Sequence, residues 1–252
     1  MKAFFKTYWK TLLFFGVVGL IGGWFSGLYA LESYPPQMQQ EMLAQGVNAT
    51  TMALTMAIQS MTYGLVLGAA GIWLGKKVGL WKDERHITKK PLLAALLISL
   101  IGGLALIFPD LLFFGNYEKA LLDMYATKPT IPYLLATVTY GAVIEEVMLR
   151  LFMMSLVAFV LHLLFERKCG EVSRLVLVAA NVVSALLFAV GHLPVNDMMY
   201  GLTPMIVLRC LLLNGVFGLA FGWLYHRFGL RYAMIAHGGC HVVSKLIWIL
   251  FL

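Results

Sequence analysis

Seven blocks of mostly apolar residues run along the chain, six of them close to the ~20 residues that cross a hydrocarbon core and the fourth longer. They cover roughly 11–31, 52–75, 91–108, 133–165, 174–193, 204–225 and 230–251, with more polar connections between them. The pattern predicts an all-α, polytopic membrane bundle of about seven transmembrane helices. The first block is longer than the apolar core of a secretory signal and six more follow, so it is read as an uncleaved span. Segment 109–132 is too polar to cross and is expected to form a short interfacial helix. The chain shows no soluble domain, low-complexity linker or internal repeat, and 1–252 reads as one membrane domain.

Composition agrees with that reading. The 252 residues are 61% hydrophobic and 12% charged, with a mean hydropathy of +0.83, against ~25% charge in ordinary soluble domains. Basic residues set the topology. Lys2, Lys6 and Lys10 precede the first block, and Lys76, Lys77, Lys82, Arg85, Lys89 and Lys90 fill the second connection. Arg167, Lys168 and Arg174 follow in the fourth connection, with Arg227 and Arg231 in the sixth. Together these are 14 of the 19 Lys and Arg residues, so this side, with the N-terminus, is expected to be cytoplasmic. The net charge of +7 then reflects topology and contact with the lipid bilayer. No nucleic-acid partner is called for, because no aromatic-basic reading element is present.

The opposite connections carry Glu32, Glu41, Asp110, Glu118, Asp123 and Asp197, and Asn48-Ala-Thr50 there is a formal glycosylation sequon. Cys169, Cys210 and Cys240 have no metal-pair spacing and read as small packing residues. Gly19/Gly23, Gly64/Gly68, Gly71/Gly75 and Gly218/Gly222 are small residues four apart, which permits close helix contact.

Polar groups inside apolar blocks carry the chemistry, because acids in hydrocarbon are costly and usually functional. Glu145 and Glu146 are adjacent in the fourth block, with Arg150 four residues after Glu146. On a helix Glu146 and Arg150 share a face and can pair, whereas Glu145 points about 100° away and keeps no partner of its own. A carboxyl in apolar surroundings suits general base and then general acid work. The plain alternative is a buried ion pair between helices, with Glu145 reaching water.

Phe188 and His192 share a face in the fifth block, with Asn181 and Ser184 roughly on the same stripe. His237 and His241 are four apart in the last block, a spacing that can bind metal, yet Gly238 stands where a zinc-protease signature has glutamate. His86, His162 and His226 read as solvated, Lys245 as snorkelling, and Arg209 as either snorkelling or countering a carboxylate. Asn214 is an odd polar residue in the same block as Arg209.

Glu-Glu-x-x-x-Arg, Phe-x-x-x-His and His-x-x-x-polar on three late helices, with Gly218-Leu-Ala-Phe-Gly-Trp-Leu-Tyr-His-Arg-Phe-Gly229 before the last, resemble one family. This is the CAAX prenyl endopeptidase and bacteriocin-processing group of intramembrane proteases, the CPBP or ABI family. The resemblance covers about 133–245 and implies a bundle with a water-accessible cavity that cleaves a membrane-associated protein or peptide. It splits the chain into N-terminal spans, 1–130, and a catalytic core, 133–252. By motif, Glu145 is similar to the base that activates water and His192 to its partner. Glu146 and Arg150 then orient that acid, with Phe188 in support, and His237 is similar to the oxyanion stabiliser. The last motif position is commonly Asn and here is His241, which can also donate one hydrogen bond. Two forms of the chemistry follow: metal-free glutamate catalysis, or a zinc ion held by Glu145, His192 and His237.

Helix arithmetic adds a constraint. At ~1.5 Å per residue, Glu145 lies ~31 Å and His192 ~27 Å from the basic-side ends of their blocks, but His237 only ~12 Å from the turn at 226–229. A shared site then needs a deeply placed sixth–seventh hairpin, strong tilting, or different block ends. Two further functions compete. One is a protease-like scaffold or regulator without catalysis. The other is a transporter using the acids as a proton relay, for which the paired half-repeats are missing.

Overall fold

The structure is a computed structural model describing residues 2–83, 86–167 and 170–252. Arg85, Lys168 and Cys169 from the sequence reading lie outside the described residues. Among the described residues every regular element is helical. Seven helical runs are long and apolar enough to cross a membrane: α1 (Lys2–Ser33), α2 (Ala49–Lys77), α3 (Lys89–Asn116), α4 (Ile131–Phe165), α5 (Arg174–Tyr200), α6 (Pro204–Phe228) and α7 (Leu230–Phe251). The protein is a multi-pass membrane bundle. Most runs extend past the apolar blocks because polar caps and flanking turns continue the backbone pattern.

Local chemistry sets where the runs begin. Thr130, Ser173 and Thr203 accept from the N–H groups of Tyr133, Val176 and Ile206 at the starts of α4, α5 and α6. Such caps satisfy donors that a helix leaves open. Asn48, the formal sequon residue, caps α2 by accepting from Thr50 and Thr51 at 3.0 Å each. Prolines in the first turns of α4 and α6 need no N–H partner there.

Segment 109–132 departs from the expected single interfacial helix. It breaks into Phe108–Leu112, Phe114–Asn116 and Lys119–Tyr125, because Asp110 turns inward. Asp110 is fully buried and receives both Arg209 Nε at 2.5 Å and Arg209 Nη2 at 2.7 Å. Tyr125 donates to the same carboxylate at 2.9 Å. Burial, and then the Asp110 charge, lift the Tyr125 phenol well above its ordinary range. Of the two readings for Arg209, the structure takes the carboxylate partner.

Packing follows the small residues. Gly19 and Gly23 of α1 lie against the α2 backbone at Ser60 and Met56, so an added Cβ would overlap carbonyl oxygens. Gly71 of α2 meets Leu151, Gly218 meets Ala185, and Gly222 meets Asn181. Cys210 and Cys240 are free, buried packing residues. Large apolar side chains such as Leu13, Leu97 and Leu186 face outward, as lipid rather than water requires.

The depth conflict resolves at the basic side. Ser155 of α4 and Tyr225 of α6 share a hydrogen bond at 2.9 Å. From that level α4 continues ten residues to Phe165, ~15 Å, whereas the α6–α7 turn comes after only four, ~6 Å. The fourth helix therefore runs past the hairpin, and His237 does not need to climb far to meet it. The turn is a single residue, Gly229, at φ 105° and ψ 165°. Only glycine enters that backbone region readily. Gly229→Ala is expected to cost about 1–3 kcal/mol, read as a lower midpoint of unfolding in detergent; an unchanged midpoint would show that the hairpin does not depend on it.

Candidate active site

The fourth helix is not a regular α-helix where its acids lie. Over Thr137–Glu145 and Val147–Met154 the backbone bonds widen to an i→i+5 pattern. Such widened turns collect at functional sites, and the hydrophobic pattern carries no sign of them. Glu146 and Arg150 still pair, Nη1 lying 3.2 Å from Oε1, with both side chains buried. That contact is electrostatic rather than a well-aligned hydrogen bond. Arg150 Nη2 donates instead to the Gly218 carbonyl at 3.1 Å. The guanidinium also lies 4.4 Å from the Phe188 ring centroid and 5.5 Å from that of Phe221, a favourable stack for a desolvated cation.

The same Glu146 oxygen takes His237 Nδ1 at 2.9 Å. A carboxylate can only accept, so His237 carries its proton on Nδ1 and turns Nε2 outward. Nε2 stands 3.9 Å from Glu145 Oε2. Phe221 stacks on the imidazole at 4.7 Å and 17°, and Phe188 meets it edge-on at 5.7 Å. Sequence reading placed Phe188 in support but missed Phe221, which lies in the quoted Gly218–Gly229 stretch without any motif position of its own.

His192 closes the first part of α5. Pro194 starts the short helix Leu193–Tyr200, so the chain breaks at His192. Its Nδ1 donates to the Phe188 carbonyl at 2.8 Å, and its ring lies 4.7 Å from that of Phe188. Nε2 is again left as an acceptor. Ser184 bonds the Leu149 carbonyl at 2.6 Å, which fixes relative depth. From that contact His192 is ~12 Å and Glu145 ~6 Å along the same direction, so the two levels differ by about one turn.

His192, His237 and His241 share the wall of one cavity of about 200 Å³, with Phe188, Arg209 and Lys245. Glu145 is not on that wall; it meets it across His237 and keeps 19% of its side chain exposed. Asn196 and Asn214, the latter the odd polar residue of the sixth block, also face this space. Lys245 does not snorkel. It is 8% exposed and donates to the Tyr133 hydroxyl at 3.1 Å, with Nζ 3.4 Å from His241 Nδ1. Its position on α7, one turn beyond His241, aims it into the cavity rather than at a membrane surface.

His86 is exposed, while His162 contacts Glu166 at 3.4 Å and His226 is half-buried; none of them joins the site. Glu145, His192 and His237, the set considered for zinc, do not converge as ligands. Among the described residues no three of His, Cys, Asp and Glu are grouped to hold a metal ion.

Residues 127–243 match a family model, type II CAAX prenyl endopeptidase Rce1-like. No curated protein and no solved structure matches the chain at a significant level. The matched segment holds all the motif residues described above.

Removing one member of the buried pair should be costly. Arg150→Met is expected to lower unfolding stability by about 3–5 kcal/mol, and Glu146→Gln with Arg150→Met to recover much of it. Equal loss in the single and double variants would show that the pairing is not the source of the cost.

Proposed function

From the match of residues 127–243 to the Rce1-like family model, we propose that this protein is an intramembrane endopeptidase with Glu145 as its base. The substrate is a membrane-associated protein or peptide that extends its scissile bond into the cavity. The observation that carries this reading is the line Arg150–Glu146–His237–Glu145, with contacts of 3.2, 2.9 and 3.9 Å.

Glu145 takes a proton from water as the water oxygen bonds to the peptide carbonyl carbon. The carbonyl electron pair moves to oxygen. His237, its Nδ1–H held by Glu146, presents Nε2 to accept a hydrogen bond from the protonated Glu145. This role differs from the oxyanion donor suggested by motif alone, because a neutral imidazole bonded this way has no N–H left to give. His192 offers a second acceptor nitrogen on the cavity wall for the other hydrogen of the attacking water. His241 is the imidazole left to donate to the oxyanion. The carbon–nitrogen bond then breaks as Glu145 returns the proton to the leaving amine. In this scheme 133–252 form the catalytic core. Spans 1–130 brace it, as where Tyr29 stacks on Tyr133 at 4.3 Å, and the N-terminus is cytoplasmic.

The test uses purified protein in lipid nanodiscs with a fluorogenic peptide ending in a farnesylated CAAX sequence, beside an unprenylated copy. Glu145→Gln should reduce kcat by about 10²-fold or more with little change in unfolding midpoint. Cleavage at the wild-type rate by that variant would remove Glu145 from the mechanism.

A further inference from the structure

We propose that Lys245 is a positioning residue that fixes His241 in the Nε2–H tautomer, making His241 the donor for the oxyanion. The proposal rests on the protease reading above for its catalytic part. An asparagine at this motif position always has an N–H to offer. An imidazole offers one at a given point only if the correct nitrogen is protonated, so replacing Asn by His creates a need that some neighbour must meet.

Lys245 meets it. A lysine ammonium has three donors and no acceptor, so its 3.4 Å contact with His241 Nδ1 makes Nδ1 the acceptor and leaves the proton on Nε2. Nε2 faces α4 beside Gly141, one turn before Glu145. A Cβ on Gly141 would lie 3.5 Å from Nε2, an ordinary contact, which places this nitrogen next to the α4 backbone. The ammonium itself is anchored. Tyr133 accepts from it at 3.1 Å and places its ring centroid 4.3 Å away. Among the described residues no carboxylate lies within ion-pair distance of Lys245.

The other two imidazoles are fixed the opposite way. His237 gives its Nδ1 proton to Glu146 and His192 gives its own to Phe188, so each turns a lone pair outward. Of the three rings on the cavity wall, His241 alone presents an N–H when neutral. One turn of α7 therefore carries both an acceptor ring and a donor ring, whose centroids are 5.1 Å apart.

Protein labelled with nitrogen-15 in the histidine rings, held in nanodiscs without substrate, reads the tautomer directly. The His241 signals are those lost in His241→Asn. Wild type and Lys245→Arg should show Nε2 protonated and Nδ1 bare, while Lys245→Met should move population to Nδ1–H. An unchanged tautomer in Lys245→Met, or Nδ1–H in the wild type, overturns the proposal. With the farnesylated peptide, Lys245→Met should lower kcat about tenfold or more with KM little changed, within the ~10²–10³-fold that losing an oxyanion donor costs. In the His241→Asn background the same change should have little effect, since an amide has no tautomer to set. Equal losses in both backgrounds would show a merely structural lysine and overturn the proposal. If the wild type leaves the farnesylated and the unprenylated peptide uncut, the protease reading fails; the tautomer measurement needs no substrate and still decides what Lys245 does.

Discussion

Glu146 is a fully buried carboxylate, and the network around it draws on groups from across the bundle. Arg150 supplies the charge from the same helix, His237 supplies a proton from α7, and Gly218 and Phe221 of α6 together with Phe188 of α5 hold the guanidinium. Burying a charge without partners is prohibitive in a low-dielectric interior. The four helices are thus obliged to meet at one point, and each arrives with a defined rotation. That same requirement orients His237, so a demand of stability fixes the geometry of the candidate site.

The hairpin makes this meeting possible. A one-residue turn at Gly229 lets α7 leave antiparallel to α6 without a loop, and α4 runs beyond that turn. His237, only seven residues into α7, then reaches the depth of Glu146. Close approach is permitted where glycines face neighbours, as Gly218 does Ala185 and Gly222 does Asn181. The widened turns of α4 carry Glu145 and Glu146 at this same level. Asp110 and Arg209 repeat the principle on the other side of the cavity, where a bidentate pair draws a polar connection inward. Each polar group inside the bundle that meets another ties two segments that hydrophobicity alone would leave free to slide.

Much of this was visible along the chain. The seven apolar blocks became the seven spans, because in lipid a long apolar run has no alternative to a helix. The Glu146–Arg150 spacing of four announced its own pair, while Arg209 was left between snorkelling and a carboxylate partner until Asp110 was found beside it. The failures share one cause. Lys245 was read as snorkelling because its distance from a helix end was known and its rotation was not. Segment 109–132 was read as one short helix because the partner of Asp110 lies 99 residues away in sequence. Phe221 was passed over because a phenylalanine in an apolar span has no distinguishing mark until a ring is found against it.

What the sequence alone determined is therefore whatever depends on neighbours within a turn or two: spans, caps, the ion pair, and the identity of the polar residues that hydrocarbon must pay attention to. The tertiary structure decided which of those residues meet, because helix rotation and axial depth are set by contacts between distant segments. The direction of each proton belongs to the second class. An imidazole has two equivalent-looking nitrogens in the sequence, and only the partner placed beside one of them, Glu146 for His237, Phe188 for His192 and Lys245 for His241, determines which one donates.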